Sequence, residues 1–128
     1  MYQEGRGVAK DNKAAVVWYS QAVEQGDPVS QYNLGLMYAN GEGVVENDTT
    51  AFILMEKSAK QGLASAQNDL AGMFYSGDGV AADNVKGYLW FNLAAFNGDE
   101  EAAKNKEIIS NRMTKKQIAK AQDLSEQC

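Results

Sequence analysis

The chain has 128 residues, of which 45% are apolar and 23% are charged, and this balance indicates one folded domain rather than a disordered segment. A net charge of −5 disfavours a phosphate-binding surface, so we do not expect nucleic acid as a partner. Histidine is absent and the one cysteine is Cys128, which excludes an intramolecular disulfide, a Ser–His or Cys–His catalytic pair and an imidazole metal site. No apolar run reaches the length of a membrane-spanning helix.

A register of 36 residues runs through the chain without insertion or deletion. A pair of glycines, a bulky apolar position and a closing glycine return at each step of this register. The equivalent positions include Gly5, Gly41 and Gly77; Gly7, Gly43 and Gly79; Trp18, Leu54 and Trp90; and Gly26, Gly62 and Gly98. Agreement at this many positions identifies an internal repeat, and each unit is predicted to hold two short helices, A and B.

The first unit is predicted to consist of a B helix alone, because its Gly5-Arg6-Gly7 turn stands at the start of the chain and leaves no room for an A helix. The sequence therefore begins inside a motif, and we expect it to be a C-terminal fragment of a longer repeat protein. The B helix, which carries Val16 and Trp18, then lacks a neighbour. We expect self-association through this open N-terminal repeat, since a large exposed apolar patch usually finds a partner.

Two complete units follow. Asp27-Pro28 predicts the start of an A helix over 28–39, because aspartate caps free amides and proline is tolerated at the first helical position. Gly41-Glu42-Gly43 ends that helix, and Asn47 is predicted to cap the B helix. The glycine pairs follow helices and lack a P-loop lysine, so we interpret them as turns rather than phosphate-binding loops. In the third unit the helices are predicted over 64–75 and 83–97.

After Gly98 the repeat decays into a C-terminal end cap. Helices are predicted over 99–110 and 114–126, and Thr114 and Gln117 have the spacing of a capping box at the start of the second. The repeats of residues 1–103 and the capping helices of residues 104–128 are predicted to form one domain. Residues 104–128 carry a net charge of +3 against −8 for residues 1–103, which favours head-to-tail contacts, although such asymmetry is also common without a function.

The repeat resembles the Sel-1-like repeat family, relatives of the tetratricopeptide repeat, in the motifs Leu34-Gly35-Leu36-Met37-Tyr38 and Gly41-Glu42-Gly43-Val44 and in Trp18-Tyr19 of the first unit. The resemblance covers residues 1–103 and implies an all-α fold, a right-handed α-solenoid (an α-α superhelix) with the A helices on its concave side. It also implies that the longer protein is bacterial. Family members are generally adaptors, so the resemblance implies a non-catalytic scaffold with a protein or peptide partner.

The A-helix positions that the core does not constrain are the candidate protein-binding face, because they differ between units while the core pattern stays the same. Tyrosine and asparagine there combine rigid contact area with adaptable hydrogen bonding. Ordinary solvated side chains are the alternative interpretation. The candidates are Tyr32, Asn33, Leu36, Asn40, Asn68, Asp69, Tyr75 and Ser76.

Catalysis has little support, because Asp69, Asp78 and Asp83 are spread over caps and loops rather than gathered in one place. We therefore predict no enzyme, no catalytic or metal-binding residue and no cofactor. The alternative is a weak carboxylate-based hydrolase or a cell-wall-ligand binder, which two carboxylates with raised pKa values in a closed cleft would favour. A third possibility is a terminal cap whose binding site lies upstream. The location is cytoplasmic for the sequence as written, and periplasmic or secreted if a signal peptide precedes Met1.

Overall fold

A computed structural model describes the backbone of residues 5–127 and the side chains of residues 12–124. Within that part the chain forms seven α-helices and no strand, which confirms the predicted all-α class. Each helix from α1 to α5 packs on the next in sequence, α7 packs on α5, and α4 also contacts α6. The helices are α1 (Gly5–Glu24), α2 (Pro28–Asn40), α3 (Asp48–Lys60), α4 (Ala64–Ser76), α5 (Asn84–Phe96), α6 (Glu100–Ser110) and α7 (Lys115–Gln127).

Capping groups explain why the repeat helices begin and end close to the predicted positions. Asp27, Asn47 and Asp83 each accept a hydrogen bond from the backbone amide three residues later, at 2.9, 3.0 and 3.1 Å. These bonds satisfy amides that have no partner inside the helix. Gly41 and Gly77 end α2 and α4 with φ of 70° and 82°, a left-handed conformation that glycine adopts without strain.

The second glycine of each turn allows one repeat to touch the repeat before it. Gly43 and Gly79 both have positive φ, at 74° and 73°. A Cβ atom on Gly79 would overlap the backbone carbonyl of Asp48 at the start of α3, and one on Gly43 would overlap that of Asn12 in α1. The glycine pairs of the second and third units are therefore turns, as predicted, and they allow each unit to stack on the one before it.

Two clusters of buried side chains form the core. The first lies between α3 and α4 around Met55, Leu70 and Phe74, and the second joins α4 to α7 around Phe91 and Ile109. Trp90 packs against both clusters and so connects them. Helical spacing in the second unit predicts a buried stripe of Ser30, Leu34, Met37 and Tyr38 on the A helix and of Ala51, Leu54, Met55 and Ser58 on the B helix. All of these side chains are buried except that of Tyr38, which is half-buried.

Amide side chains at equivalent repeat positions link the A helix to the end of the B helix within each unit. The Nε2 of Gln61 donates to the Oε1 of Gln31 at 2.8 Å, and one repeat later the Nδ2 of Asn97 donates to the Oε1 of Gln67 at 2.9 Å. Gln67 is only 2% exposed, and its own Nε2 donates to the carbonyl of Ala59 at 3.0 Å. The bond from Gln67 to Ala59 joins α4 to α3 of the preceding unit. Because the buried amides of Gln31 and Gln67 have hydrogen-bond partners, they do not weaken the core.

The first unit differs from its prediction, because residues 5–7 continue as helix in α1 where a turn was expected. In the next two units the turn is closed by hydrogen bonds from the amides of Asn47 and Asp83 to the carbonyls of Tyr38 and Phe74, at 2.9 and 2.8 Å. The position equivalent to Tyr38 is residue 2, which lies outside the described residues.

Trp18 lies outside the core, unlike the residue at its equivalent position in the next unit. Its side chain is 72% exposed, whereas Leu54 at the equivalent position is 7% exposed. Leu54 lies against Gly35 of α2 in its own unit, and no described helix occupies the equivalent place beside α1. Val17 and Trp18 therefore form an exposed apolar surface, which we call the α1 face.

The C-terminal helices show the predicted capping box. The amide of Thr114 donates to the Oε1 of Gln117 at 2.9 Å, and the amide of Gln117 donates to the Oγ1 of Thr114 at 3.1 Å. Lys106 stands where the earlier repeats have leucine, yet its Nζ donates to the Oδ1 of Asn92 at 3.1 Å and lies 6.0 Å from the centre of the Tyr88 ring. The cap therefore keeps its contact with α5 while replacing an apolar core residue with a charge.

Candidate functional site

A groove of about 570 Å³ lies on the face formed by the A helices α2, α4 and α6, and we call it the A-helix groove. It is open to solvent along its length. Polar side chains from all three helices line it, and apolar side chains from the A and B helices line it between them. The polar set includes Asn40, Asn68, Asp69, Ser76, Glu101 and Asn105, and the apolar set includes Leu36, Met55, Met73 and Phe91.

The structure brings five of the eight candidate residues together in this groove: Leu36, Asn40, Asn68, Asp69 and Ser76. The other three candidates lie beside it. Tyr32 packs half-buried against the first core cluster and bonds to Asp69, Asn33 is half-buried on α2, and Tyr75 packs against the second core cluster.

Tyr32 and Asp69 form a link between the first two A helices. The hydroxyl of Tyr32 on α2 donates a hydrogen bond to the carboxylate of Asp69 on α4. Burial raises the pKa of Tyr32 to about 12, and the neighbouring carboxylate of Asp69 adds to that rise. Burial also raises the pKa of Asp69, and the charges of Glu101 and Asp99 raise it further, while the hydrogen bond from Tyr32 opposes the rise. Asp69 is thus a carboxylate among like charges.

Asn68 links the next pair of A helices. It is 6% exposed, its Nδ2 donates to the Oε1 of Glu101 at 3.0 Å, and its Oδ1 accepts from the Nδ2 of Asn105 at 3.1 Å. Both partners lie on α6, so Asn68 holds α6 against α4. It lines the groove as a buried connector rather than as a side chain that points freely into solvent.

Gly72 leaves a gap in the middle of the groove face. A Cβ atom placed on it would meet no atom within 4 Å, although residues at the equivalent repeat positions, Leu36 and Ile108, carry large apolar side chains. The hydroxyl of Ser76 donates to the carbonyl of Gly72 at 2.8 Å and to the Oδ2 of Asp78 at 2.9 Å, and so closes one side of this gap. At this position an apolar group from outside can therefore approach the backbone of α4.

Sequence reasoning missed the groove residues that come from α6 and from the start of α3. Asn105 lines the groove and stands one repeat after Asp69 in the sequence. Extending the 36-residue register beyond Gly98 would therefore have identified it. Glu46 and Asp48 had only loop and helix-end features in the sequence, and their approach to the groove depends on how the turn folds over α2.

The described side chains restrict the chemistry of this surface. Among them, no group of three or more carboxylates or cysteines is arranged to hold a metal ion. None of the described helices is long and apolar enough to cross a membrane. The groove offers hydrogen bonds, carboxylate charge and apolar contact along an open surface.

Stacked two-helix units with contacts between successive repeats define an α-solenoid repeat protein. A family model for the Sel1 repeat matches residues 1–27, 28–63 and 64–99, and the chain belongs to the Sel1 repeat family. Proteins of this family are generally protein-interaction scaffolds and typically lack catalytic activity.

Two solved structures are similar to this chain. One is c5321, a protective antigen present in uropathogenic Escherichia coli strains and displaying an SLR fold, with 37% identity over 90% of this chain and a TM-score of 0.87. The other is a Sel1 repeat protein from Oxalobacter formigenes, with 31% identity over 75% of this chain and a TM-score of 0.72. The aligned region spans 25% of the first protein and 40% of the second. A search of curated proteins gives no match.

Proposed function

We propose that the chain is a non-catalytic scaffold that binds a segment of a partner protein in the A-helix groove. The observation that carries this proposal is the groove itself, about 570 Å³ in volume and lined by five of the residues that vary between units. Its mixture of amide, carboxylate and apolar side chains suits a peptide, which offers both backbone hydrogen bonds and side-chain contacts.

The open groove supports this function over a carboxylate-based hydrolase or a cell-wall-ligand binder. A hydrolase of that kind needs two carboxylates in a closed cleft that excludes water. Here Glu101 is exposed and accepts a hydrogen bond from Asn68, and the carboxylate of Asp69 accepts one from the hydroxyl of Tyr32. Both carboxylates therefore have neutral hydrogen-bond partners on an open surface.

The test is site-specific photo-crosslinking in a lysate of the source organism. A benzoylphenylalanine at Asn40 places the crosslinker on an exposed position of the groove, and one at Lys57 on the exposed side of α3 is the control. The matched blocking variant is Gly72→Leu, because leucine fills the gap in the groove and its Cβ meets no neighbour. We expect a protein that crosslinks from position 40, not from position 57, and that Gly72→Leu removes.

Circular dichroism and urea unfolding establish first that Gly72→Leu is folded. If the same proteins then crosslink with and without leucine at position 72, the A-helix groove is not the binding site. The remaining possibility, a terminal cap whose binding site lies elsewhere in a longer solenoid, would then be favoured.

We further propose that the chain self-associates through the α1 face. The exposure of Trp18, set against the buried Leu54 at the same repeat position, supports this interaction. Since the similar c5321 is about four times longer than the aligned region, another repeat is the alternative cover for this face.

We also propose that residues 1–103 and the cap of residues 104–128 act as one domain, supported by the packing of α7 on α5.

A further inference from the structure

The A-helix groove carries unbalanced negative charge. Its lining includes the carboxylates of Glu46, Asp48, Asp69, Asp78 and Glu101, and among the residues that the structure describes no lysine or arginine lines it. The ion pair that the described residues form, between Lys60 and Glu56, lies on α3 outside the groove. The hydrogen-bond partners of the groove carboxylates are neutral groups, such as the amide of Asn68 and the hydroxyl of Ser76.

Concave surfaces lined by charge of one sign concentrate the electrostatic potential and attract counter-charges. The surroundings of Asp69 show the effect, because the charges of Glu101 and Asp99 act against its ionisation. A bound cation relieves this repulsion between like charges and gains attraction to several carboxylates at once.

The groove also has an apolar component that a small cation leaves unused. Leu36, Met73 and Phe91 line it, and the gap above Gly72 is open. A partner that uses both features carries positive charges next to an apolar side chain. A segment in which lysine or arginine alternates with apolar residues at every second position meets this requirement. Side chains two positions apart on an extended chain share one face and lie roughly 7 Å apart, and lysine and arginine carry their charge on an apolar stem.

We propose that the A-helix groove binds a cationic segment of another protein, with lysine or arginine facing Asp69 and Glu101 and an apolar side chain entering the gap above Gly72. The inference rests on the proposed function and specifies the chemistry of its partner.

Fluorescence anisotropy with defined peptides tests the inference. The probe is a fluorescein-labelled peptide, Gly-Lys-Ser-Leu-Ser-Lys-Ser-Leu-Gly, which places its lysines and leucines on one face of an extended chain. Two matched peptides replace both lysines with glutamate or both leucines with serine. We expect the lysine–leucine peptide to bind, with an affinity that falls as salt is raised from 50 to 300 mM. The glutamate peptide should not bind, and the serine peptide should bind at least tenfold more weakly.

The protein variants separate the groove from the overall charge of the molecule. Asp69→Asn with Glu101→Gln removes two groove carboxylates, and Glu100→Gln with Glu107→Gln removes two exposed carboxylates of α6 outside the groove lining. The first pair of substitutions should lower the affinity for the lysine–leucine peptide at least tenfold, or about 1.4 kcal/mol. The second pair should lower it less than twofold. Gly72→Leu should abolish binding without a change in charge.

Equal losses in the two double variants would mean that only net charge is sensed, and the proposal would fail. If the leucine and serine peptides bind equally well, the proposed apolar contact at Gly72 does not exist. If no cationic peptide binds although Gly72→Leu still removes the crosslinked partner, the groove functions but its ligand is not cationic. If the purified chain dimerises and both Gly72→Leu and the groove pair prevent it, the occupant is the basic C-terminal end of a second copy and not another protein.

Discussion

Asp69 lies among three groups that act on it in opposite directions. The hydroxyl of Tyr32 stabilises its charged form, while burial and the charges of Glu101 and Asp99 favour its neutral form, and the second effect is larger. The charged form of Asp69 is therefore less favourable in the folded protein than in the unfolded chain, and ionisation of Asp69 lowers the free energy of unfolding.

Asp69→Asn should make the protein more stable relative to wild type as pH rises from 4 to 7. The folded-state pKa of Asp69 is raised above 3.8, so the folded state binds more protons than the unfolded state just above that pH. Its stabilising effect is complete below pH 3.8 and is lost as pH rises through the folded-state pKa, whereas asparagine does not titrate. Urea unfolding at pH 4, 5.5 and 7 measures the trend, with Glu107→Gln as the control for removal of one charge. A variant that is less stable by the same amount at every pH would contradict this.

Tyr32→Phe should remove a loss of stability that wild type shows above pH 10. Burial raises the pKa of Tyr32 from 10.0 to about 12, so the unfolded chain releases this proton first. The stabilising effect is complete below pH 10 and disappears as pH rises towards 12. Unfolding measured at pH 9, 10 and 11 should show a steeper decline in wild type than in the variant. Parallel curves would show that Tyr32 titrates as in the unfolded chain.

At the scale of the helix and turn, glycines that look alike in the repeat have different surroundings. Gly79 has positive φ and lies directly against the backbone of the preceding unit, whereas Gly62 has a φ of 98° and open space around it. Gly72 and Gly87 are both helical, but a Cβ on Gly87 would lie 2.9 Å from the Cδ1 of Ile109 and 3.2 Å from the carbonyl of Ala71.

Gly79→Ala should destabilise the fold far more than Gly62→Ala. Both variants bear the cost of a left-handed alanine, about 1 kcal/mol. Gly79→Ala must in addition push the turn away from the start of α3, so we expect a total loss of about 3 kcal/mol or more. Urea unfolding of the two variants measures the difference. If the two variants lose the same free energy of unfolding, the turn at Gly79 does not pack tightly against the preceding repeat.

Gly72→Ala should stabilise the protein by about 0.5–1 kcal/mol, because alanine is the better helix former and nothing obstructs its methyl group. Gly87→Ala should instead destabilise it by about 1 kcal/mol, since crowding between α4, α5 and α6 exceeds the same gain in propensity. Thermal and urea unfolding provide the comparison. A stabilised Gly87→Ala would show that Ile109 moves aside without cost.

At the scale of the whole molecule, the two ends of the stack differ. The C-terminal end is covered by α7 and carries exposed lysines such as Lys115 and Lys116, whereas the α1 face exposes Val17 and Trp18. Within the described residues, the C-terminal end of the stack is therefore polar and the α1 face is apolar.

Trp18→Ser should abolish self-association of the purified chain and leave its folding cooperative. Trp18 has 72% of its surface exposed, so its replacement removes apolar area from the surface rather than from the core. Sedimentation equilibrium over a wide concentration range measures the effect, and Phe96→Ser, at an 86% exposed position on α5, is the control. A wild-type chain that stays monomeric at the highest concentration would rule out association through the α1 face.

Much of the architecture was predictable because the signals that specify it are local and repeated. Caps such as Asn47 and Asp83, the left-handed glycines and the helical periodicity of the core stripes act within a few residues, and three similar units present them in the same order. For the candidate site the sequence predicted that Asn68 and Asp69 are not constrained by the core, since their type changes between units while their neighbours do not. Both line the groove, but Asn68 is only 6% exposed.

The contacts between units were decided by the tertiary structure. Asn68 is a connector because α6 presents Glu101 and Asn105 to it, and Trp18 is exposed because no described helix covers α1 as α2 covers α3. Equivalent repeat positions share their local chemistry but not their neighbours, because those neighbours come from residues some 30 to 40 positions away in the chain. The sequence by itself therefore determined the helices, the register and the buried stripes. Packing between the units decided which polar groups meet in the groove and which apolar groups stay uncovered.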